Sequence, residues 1–223
     1  MTREPLRLVI FDCDGVLVDS ELVANAVAAR EVTALGWPMT TAESVAEFMG
    51  LRLSDMPTII ERRTGRPVPA GWVERLRRAI MAALAEAAEA MPGAAAALRG
   101  VAALGLPYRV ASNSSHEEMA VKFGRTGLAS LVEGRIHSAR DVARGKPAPD
   151  LFLAAAAAEG VPPGACLVVE DSVPGCRAAR AAGMACLGLA AHGSGAALAA
   201  EGAVPVRSLA EALAVVARAR VAA

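Results

Sequence analysis

Hydrophobic and polar positions along the chain fall into two regimes. Leu8-Val9-Ile10-Phe11 is a continuous apolar run that stops abruptly at charge, the pattern of a strand buried on both faces of a parallel sheet. Residues 20–91 then show helical spacing and no convincing strand. The pattern predicts a helix over 20–35 that stops at Gly36, a second opened by the capping box Thr40-x-x-Glu43, a third from Ser54 to Gly65 and a long fourth over 72–91. Gly36-Trp37-Pro38 and Arg66-Pro67-Val68-Pro69 supply the breaks. From Pro92 onward short apolar runs alternate with alanine-rich stretches. Strands are predicted over 108–111, 134–137, 166–169, 185–189 and 204–206, and helices over 117–126, 150–159, 174–182 and 209–219. Alternating strand and helix predicts an α/β fold, a parallel sheet covered on both faces, with a helical block inserted after the first strand. No internal repeat is present, and the alanine runs read as a helix-former bias.

The end of the first strand carries the chemistry. In a strand, side chains alternate faces, so Asp12 and Asp14 are expected to point the same way and Cys13 away from them. Gly15 permits a tight turn that brings backbone N–H groups close to whatever the acids hold. Two adjacent carboxylates repel, so the pair calls for a cation or a shared proton, and oxygen-only ligands suit Mg²⁺.

Ligands of open α/β sheets bind at the carboxyl ends of strands, and three further ends carry candidate groups. Ser112-Asn113-Ser114-Ser115 precedes a helix start, where a hydroxyl and N–H groups could cradle a phosphate oxygen, although a serine-rich helix cap reads the same way. Arg144-Gly145-Lys146-Pro147-Ala148-Pro149-Asp150 follows the third strand, and the two prolines stiffen the approach to Lys146. Glu170-Asp171-Ser172 is a second acid pair leaving a buried run, with Ser172 as a helix cap and Gly175 permitting close packing.

Composition sharpens this picture. Of 23 basic residues only two are lysine, Lys122 and Lys146, so each invites a reason. At Lys146 a compact point charge suits better than a guanidinium fork. Lys122 sits on a helix without a flanking motif and is expected to be a solvated surface residue. The formal charge is zero, no basic stripe asks for nucleic acid, and three scattered histidines argue against a histidine-built metal site. The 223 residues suit one large domain or a domain with an insertion. Four cysteines without C-x-x-C spacing read as buried thiols of a reducing compartment. The uncharged stretch 181–200 contains several glycines and reads as a buried strand followed by a loop, with no membrane span. No signal peptide is evident, so a cytoplasmic location is expected, with a monomer as the default.

The run Asp12-Cys13-Asp14-Gly15-Val16-Leu17-Val18-Asp19-Ser20 resembles the first signature of the haloacid dehalogenase superfamily of phosphohydrolases. Ser112-Asn113 resembles its second signature and Gly145-Lys146-Pro147-Ala148-Pro149-Asp150 its third. The resemblance implies a doubly wound, Rossmann-like parallel sheet formed by residues 1–18 and 90–223, with an inserted all-helical cap over 19–89. It implies that Asp12 is the nucleophile that forms an aspartyl-phosphate, while Asp14 acts first as general acid and then as general base. Ser112, Asn113 and Lys146 would hold the phosphate. Asp12, Asp171, the backbone carbonyl of Asp14 and, nearer or through water, Glu170 would hold Mg²⁺.

The helical insertion looks like the cap of the subgroup that includes β-phosphoglucomutase and phosphoglycolate phosphatases. The dehalogenases lack the second aspartate, present here as Asp14, and phosphonate hydrolases use a cap lysine, whereas residues 20–91 contain none. The mutases carry a histidine on the first cap helix and a lysine before the glycine of the substrate loop; here those positions are Ala24 and Met49. The expectation is therefore a Mg²⁺-dependent phosphatase of a small phosphorylated metabolite, a sugar or polyol phosphate, with a β-phosphoglucomutase-type mutase as the competing reading. Arg52 is the cap residue best placed by motif to meet substrate, or to form a structural salt bridge. A non-catalytic protein on this fold is not supported, since no signature residue is missing.

Overall fold

The computed structural model describes residues 4–48, 51, 53–191 and 194–221. In chain order the strands are β1 (Leu8–Phe11), β2 (Val18–Asp19), β3 (Glu89–Ala90), β4 (Tyr108–Ser112), β5 (Ile136–Ser138), β6 (Cys166–Glu170), β7 (Ala185–Leu189) and β8 (Val204–Val206). The helices are α1 (Glu21–Ala34), α2 (Thr41–Phe48), α3 (Met56–Thr64), α4 (Trp72–Ala87), α5 (Ala94–Ala103), α6 (His116–Thr126), α7 (Ala129–Val132), α8 (Asp150–Ala158), α9 (Val173–Ala181), α10 (Ala196–Ala200) and α11 (Leu209–Val221). The chain divides into two compact units, Met1–Val18 with Ala90–Ala223, and Asp19–Glu89.

In the first unit six parallel strands run in the order β5-β4-β1-β6-β7-β8. The doubly wound α/β sheet expected from the alternating pattern is the one observed. Winding reverses at β1, which pairs with β4 through Ile10 opposite Arg109 and with β6 through Ile10 opposite Val168. A reversal of this kind opens a crevice beyond the strands' carboxyl ends, because the following loops depart in opposite directions. All four residues of β1 are buried, as a central strand covered on both faces requires. Leu8 and Ile10 pack with Val168, with Leu151 and Phe152 of α8, and with Cys176 and Ala179 of α9. The other face carries Phe11, whose ring meets Tyr108 edge-on at 6.3 Å. There α5 and α11 pack together, and Gly100 makes room where a Cβ would run into Leu213.

The second unit is built from α1 to α4 around Val27, Val32, Phe48, Met56, Ile60, Trp72 and Leu76. The capping box forms as expected, with the Thr40 N–H donating to Glu43 at 2.7 Å and the Glu43 N–H to Thr40 Oγ1 at 3.2 Å. Gly65 closes α3 in the left-handed conformation, φ +68°. The predicted long helix over 72–91 is shorter: α4 ends at Ala87, Ala88 turns extended, and Glu89–Ala90 pairs with Val18–Asp19 in a two-stranded ribbon. Nothing local in Ala87-Ala88-Glu89-Ala90 breaks a helix, so strand pairing overrides propensity there.

Within 181–200 the strand β7 is present, and the short helix α10 occupies Ala196–Ala200. No helix among the described residues is long and apolar enough to cross a membrane. All four cysteines are free and buried.

Candidate active site

The candidate groups converge on the carboxyl edge around the reversal at β1. The ladder continues one step past β1, where the Asp12 N–H donates to Val169 O at 2.9 Å and so fixes the Asp12 backbone against β6. Ser112 ends β4 and Glu170 ends β6. Parallel pairing in register brings these ends level, although the residues are widely separated in sequence.

Lys146 is the hub of one cluster. Its ammonium donates to Asp12 Oδ1 at 2.5 Å and to Glu170 Oε1 at 2.7 Å, and it lies 4.9 Å from the centre of the Phe152 ring. The Lys146 side chain is 4 % exposed and that of Glu170 1 % exposed, so this is an ion cluster taken out of water, where unpaired charge is costly. Burial pushes the Asp12 carboxyl up to about 7 against the pull of Lys146, with the negative charges of Glu170 and Asp14 adding to the rise. Burial alone would lower Lys146, but the carboxylates of Asp12 and Glu170 hold it above the ordinary lysine value. The other oxygen of Glu170 accepts from the Ser172 N–H and hydroxyl, each at 2.8 Å. Ser172 in turn caps α9 by accepting from the Gly175 N–H.

Asp12, Glu170 and Asp171 each offer a carboxylate oxygen, and these lie within 4.8 Å of one another. An oxygen-only donor set of this density fits a hard divalent cation such as Mg²⁺. Gly15 shapes the same place: its φ is +75°, and a Cβ there would overlap the Asp171 carboxylate. Glu170 is also held by Lys146 at one oxygen and by Ser172 at the other, which fixes the orientation of its carboxylate within the group.

Asp14 belongs to a second cluster. Contrary to expectation, Lys122 is no solvated surface residue: its side chain is 6 % exposed, and its ammonium donates to Asp14 Oδ1 at 2.6 Å and to Ser114 Oγ at 2.9 Å. Ser114 donates to Asp14 Oδ2 at 2.9 Å, and Ser112 Oγ lies 3.4 Å from the same oxygen. Burial opposes the charge on Lys122, yet Asp14 outweighs it and the lysine is raised above its usual value. Burial likewise pushes the Cys13 thiol up, which leaves it an inert part of the core beneath the two acids. A signal for Lys122 was available in the sequence, because it shares a helical face with Met119 and Phe123, both fully buried on α6.

Asn113 is placed differently from Ser112. Its amide nitrogen donates to Lys146 O at 3.1 Å and its oxygen accepts from the Lys146 N–H at 2.9 Å, a two-point clamp on the loop that carries the lysine. Gly145 leaves room for that clamp, since a Cβ there would meet Asn113 Oδ1 and Ala139. Ala24 lies on α1, whereas Met49 and Arg52 lie outside the described residues.

Known proteins resemble this chain in sequence and in fold. The haloacid dehalogenase-like hydrolase family model matches residues 6–183. The chain is 31% identical over 180 residues to 6-phosphogluconate phosphatase of Escherichia coli (strain K12), covering 80% of each. Among solved structures, a haloacid dehalogenase family hydrolase from Deinococcus radiodurans R1 with bound phosphate and sodium superposes with a TM-score of 0.83 at 34% identity, over 96% of both chains. A β-phosphoglucomutase-like protein from Thermotoga maritima superposes with a TM-score of 0.80 at 25% identity, over 96% of this chain and 99% of that one. With its fold, its strand-end acids and these matches in agreement, the chain belongs to the haloacid dehalogenase-like hydrolases.

Proposed function

We propose that this chain is a Mg²⁺-dependent phosphatase that hydrolyses a small phosphorylated metabolite, a sugar or polyol phosphate, through an aspartyl-phosphate on Asp12. The observation that carries the reading is the buried cluster in which Lys146 bridges Asp12 and Glu170 beside Asp171. The activity of the Escherichia coli relative, a 6-phosphogluconate phosphatase, supports the substrate class.

A phosphate monoester repels a carboxylate nucleophile, so the site must supply positive charge before it can supply a bond. Lys146 provides one such charge at Asp12 itself. Asp12 and Asp171, with the Asp14 backbone carbonyl and with Glu170 directly or through water, are the groups that would hold Mg²⁺, which would neutralise phosphoryl charge there. Asp12 attacks phosphorus as the ester P–O bond breaks, and Asp14 gives its proton to the departing oxygen. Water then attacks the aspartyl-phosphate, Asp14 takes its proton, and phosphate leaves with Asp12 restored. Ser112, the last residue of β4, donates to a phosphoryl oxygen in this reading, and Asn113 keeps Lys146 in position. Ala24 on α1 offers no acid–base group for a mutase.

Phosphate release from a panel of sugar and polyol phosphates is expected with Mg²⁺, to vanish with EDTA, and to fall by several orders of magnitude in Asp12→Asn. A purified protein that released no phosphate but interconverted hexose phosphates would overturn the reading in favour of a mutase.

A further inference from the structure

We propose that Lys122 is a positioning residue for Asp14: from α6 it anchors the carboxylate that serves the leaving group, as Lys146 serves the nucleophile. The inference rests on the phosphatase reading above and adds a residue outside the motifs that support it. Lys122 is one of only two lysines in the chain, and each is buried against a different aspartate of the Asp12-Cys13-Asp14 run.

The geometry defines how the anchor works. A carboxylate held at one oxygen can still rotate about its bond to Cβ, whereas one held at both oxygens has a fixed plane. Lys122 takes Oδ1 at 2.6 Å, Ser114 takes Oδ2 at 2.9 Å, and the Ser114 hydroxyl also accepts from Lys122 at 2.9 Å, which closes a three-membered ring of contacts. The ring is rigidly mounted. The Ser114 N–H donates to Ser112 Oγ at 3.1 Å, its carbonyl accepts from Ser138 Oγ at 2.7 Å, and Lys122 lies between the fully buried Met119 and Phe123.

If Lys122 aims Asp14, its loss should hurt most where the leaving oxygen most needs a proton. An alkyl phosphate leaves as a strongly basic alkoxide unless it is protonated, whereas p-nitrophenyl phosphate leaves as a stable phenolate. The test measures kcat/KM for glycerol 3-phosphate and for p-nitrophenyl phosphate in wild type, Lys122→Met, Lys122→Arg, Ser114→Ala and Asp14→Asn.

The expected result for Lys122→Met is a loss of about 10²-fold on the alkyl ester, within the range that general acid catalysis supplies, and a far smaller loss on the aryl ester. A burst of p-nitrophenolate equal to the enzyme concentration is also expected, because Asp14 is still needed to activate water in the second step. Lys122→Arg should recover part of the alkyl activity, and Ser114→Ala should shift the ratio in the same direction. Should Lys122→Met fail to fold, Ser114→Ala and Lys122→Arg carry the comparison. Equal losses on both esters in the Lys122 and Ser114 variants, with Asp14→Asn shifting the ratio, would overturn the positioning role alone. An Asp14→Asn enzyme with the wild-type ratio would overturn the acid–base reading and the positioning role with it.

Discussion

Glu170 is fully buried, and each of its oxygens has a set partner: Lys146 on one side, and the Ser172 N–H and hydroxyl on the other. Its carboxylate lies where a Cβ on Gly175 would be. Two effects therefore compete in Gly175→Ala. Alanine in α9 favours the helix by roughly 1 kcal/mol, but pushing a buried carboxylate off its lysine costs about 3–5 kcal/mol, so the second wins. The variant is expected to melt lower than wild type and, because Lys146 moves with Glu170, to lose on the order of 10²-fold in kcat. Thermal melts and steady-state assays on the same sample check both. A variant with raised stability and unchanged kcat would show that Glu170 has room to relax.

At the level of elements, α6 carries the second cluster and is itself held by its first turn. The Ser115 N–H donates to Glu118 Oε2 at 2.7 Å, and the Glu118 N–H donates to Ser115 Oγ at 3.2 Å. Ser115→Ala removes one half of this box, a loss of about 1 kcal/mol. For a chain of this size that lowers Tm by roughly 2–4 °C, readable by calorimetry. The elements also show what sequence can reveal. The β1 run, the alternation after Pro92 and the Thr40 and Ser172 caps are local patterns, and the structure follows them. The end of α4 was not legible, because its cause is pairing with residues some seventy positions earlier, Val18–Asp19. Lys122 differs again: it lies outside any motif, and only helical phase, which sets it on the face of α6 that carries the buried Met119 and Phe123, marks it as a buried residue. Asp12 and Glu170 stand together because each sits at or beside the end of a strand, a position that apolar runs do reveal, and Lys146 reaches both from the loop between β5 and α8. The clamp of Asn113 on the Lys146 backbone is a contact between two loops and has no such local pattern.

For the molecule as a whole, the sheet order is what turns distant segments into one site. β1 must lie between β4 and β6 before Asp12, Ser112 and Glu170 can come level, so the cluster has no partial version in a chain that has not closed its central strands. That dependence makes the two lysines into reporters. Both side chains are at most 6 % exposed and both ammonium groups are already donating to carboxylates, so in the folded protein neither amine is presented to an acylating reagent. Brief treatment with an N-hydroxysuccinimide ester, read by peptide mass spectrometry, should leave Lys122 and Lys146 unmodified in buffer and label both across the unfolding transition in denaturant. Labelling of Lys122 well before Lys146 would instead reveal that α6 opens on its own. A sequence this poor in lysine thus carries its own two-point footprint of whether the catalytic edge is assembled.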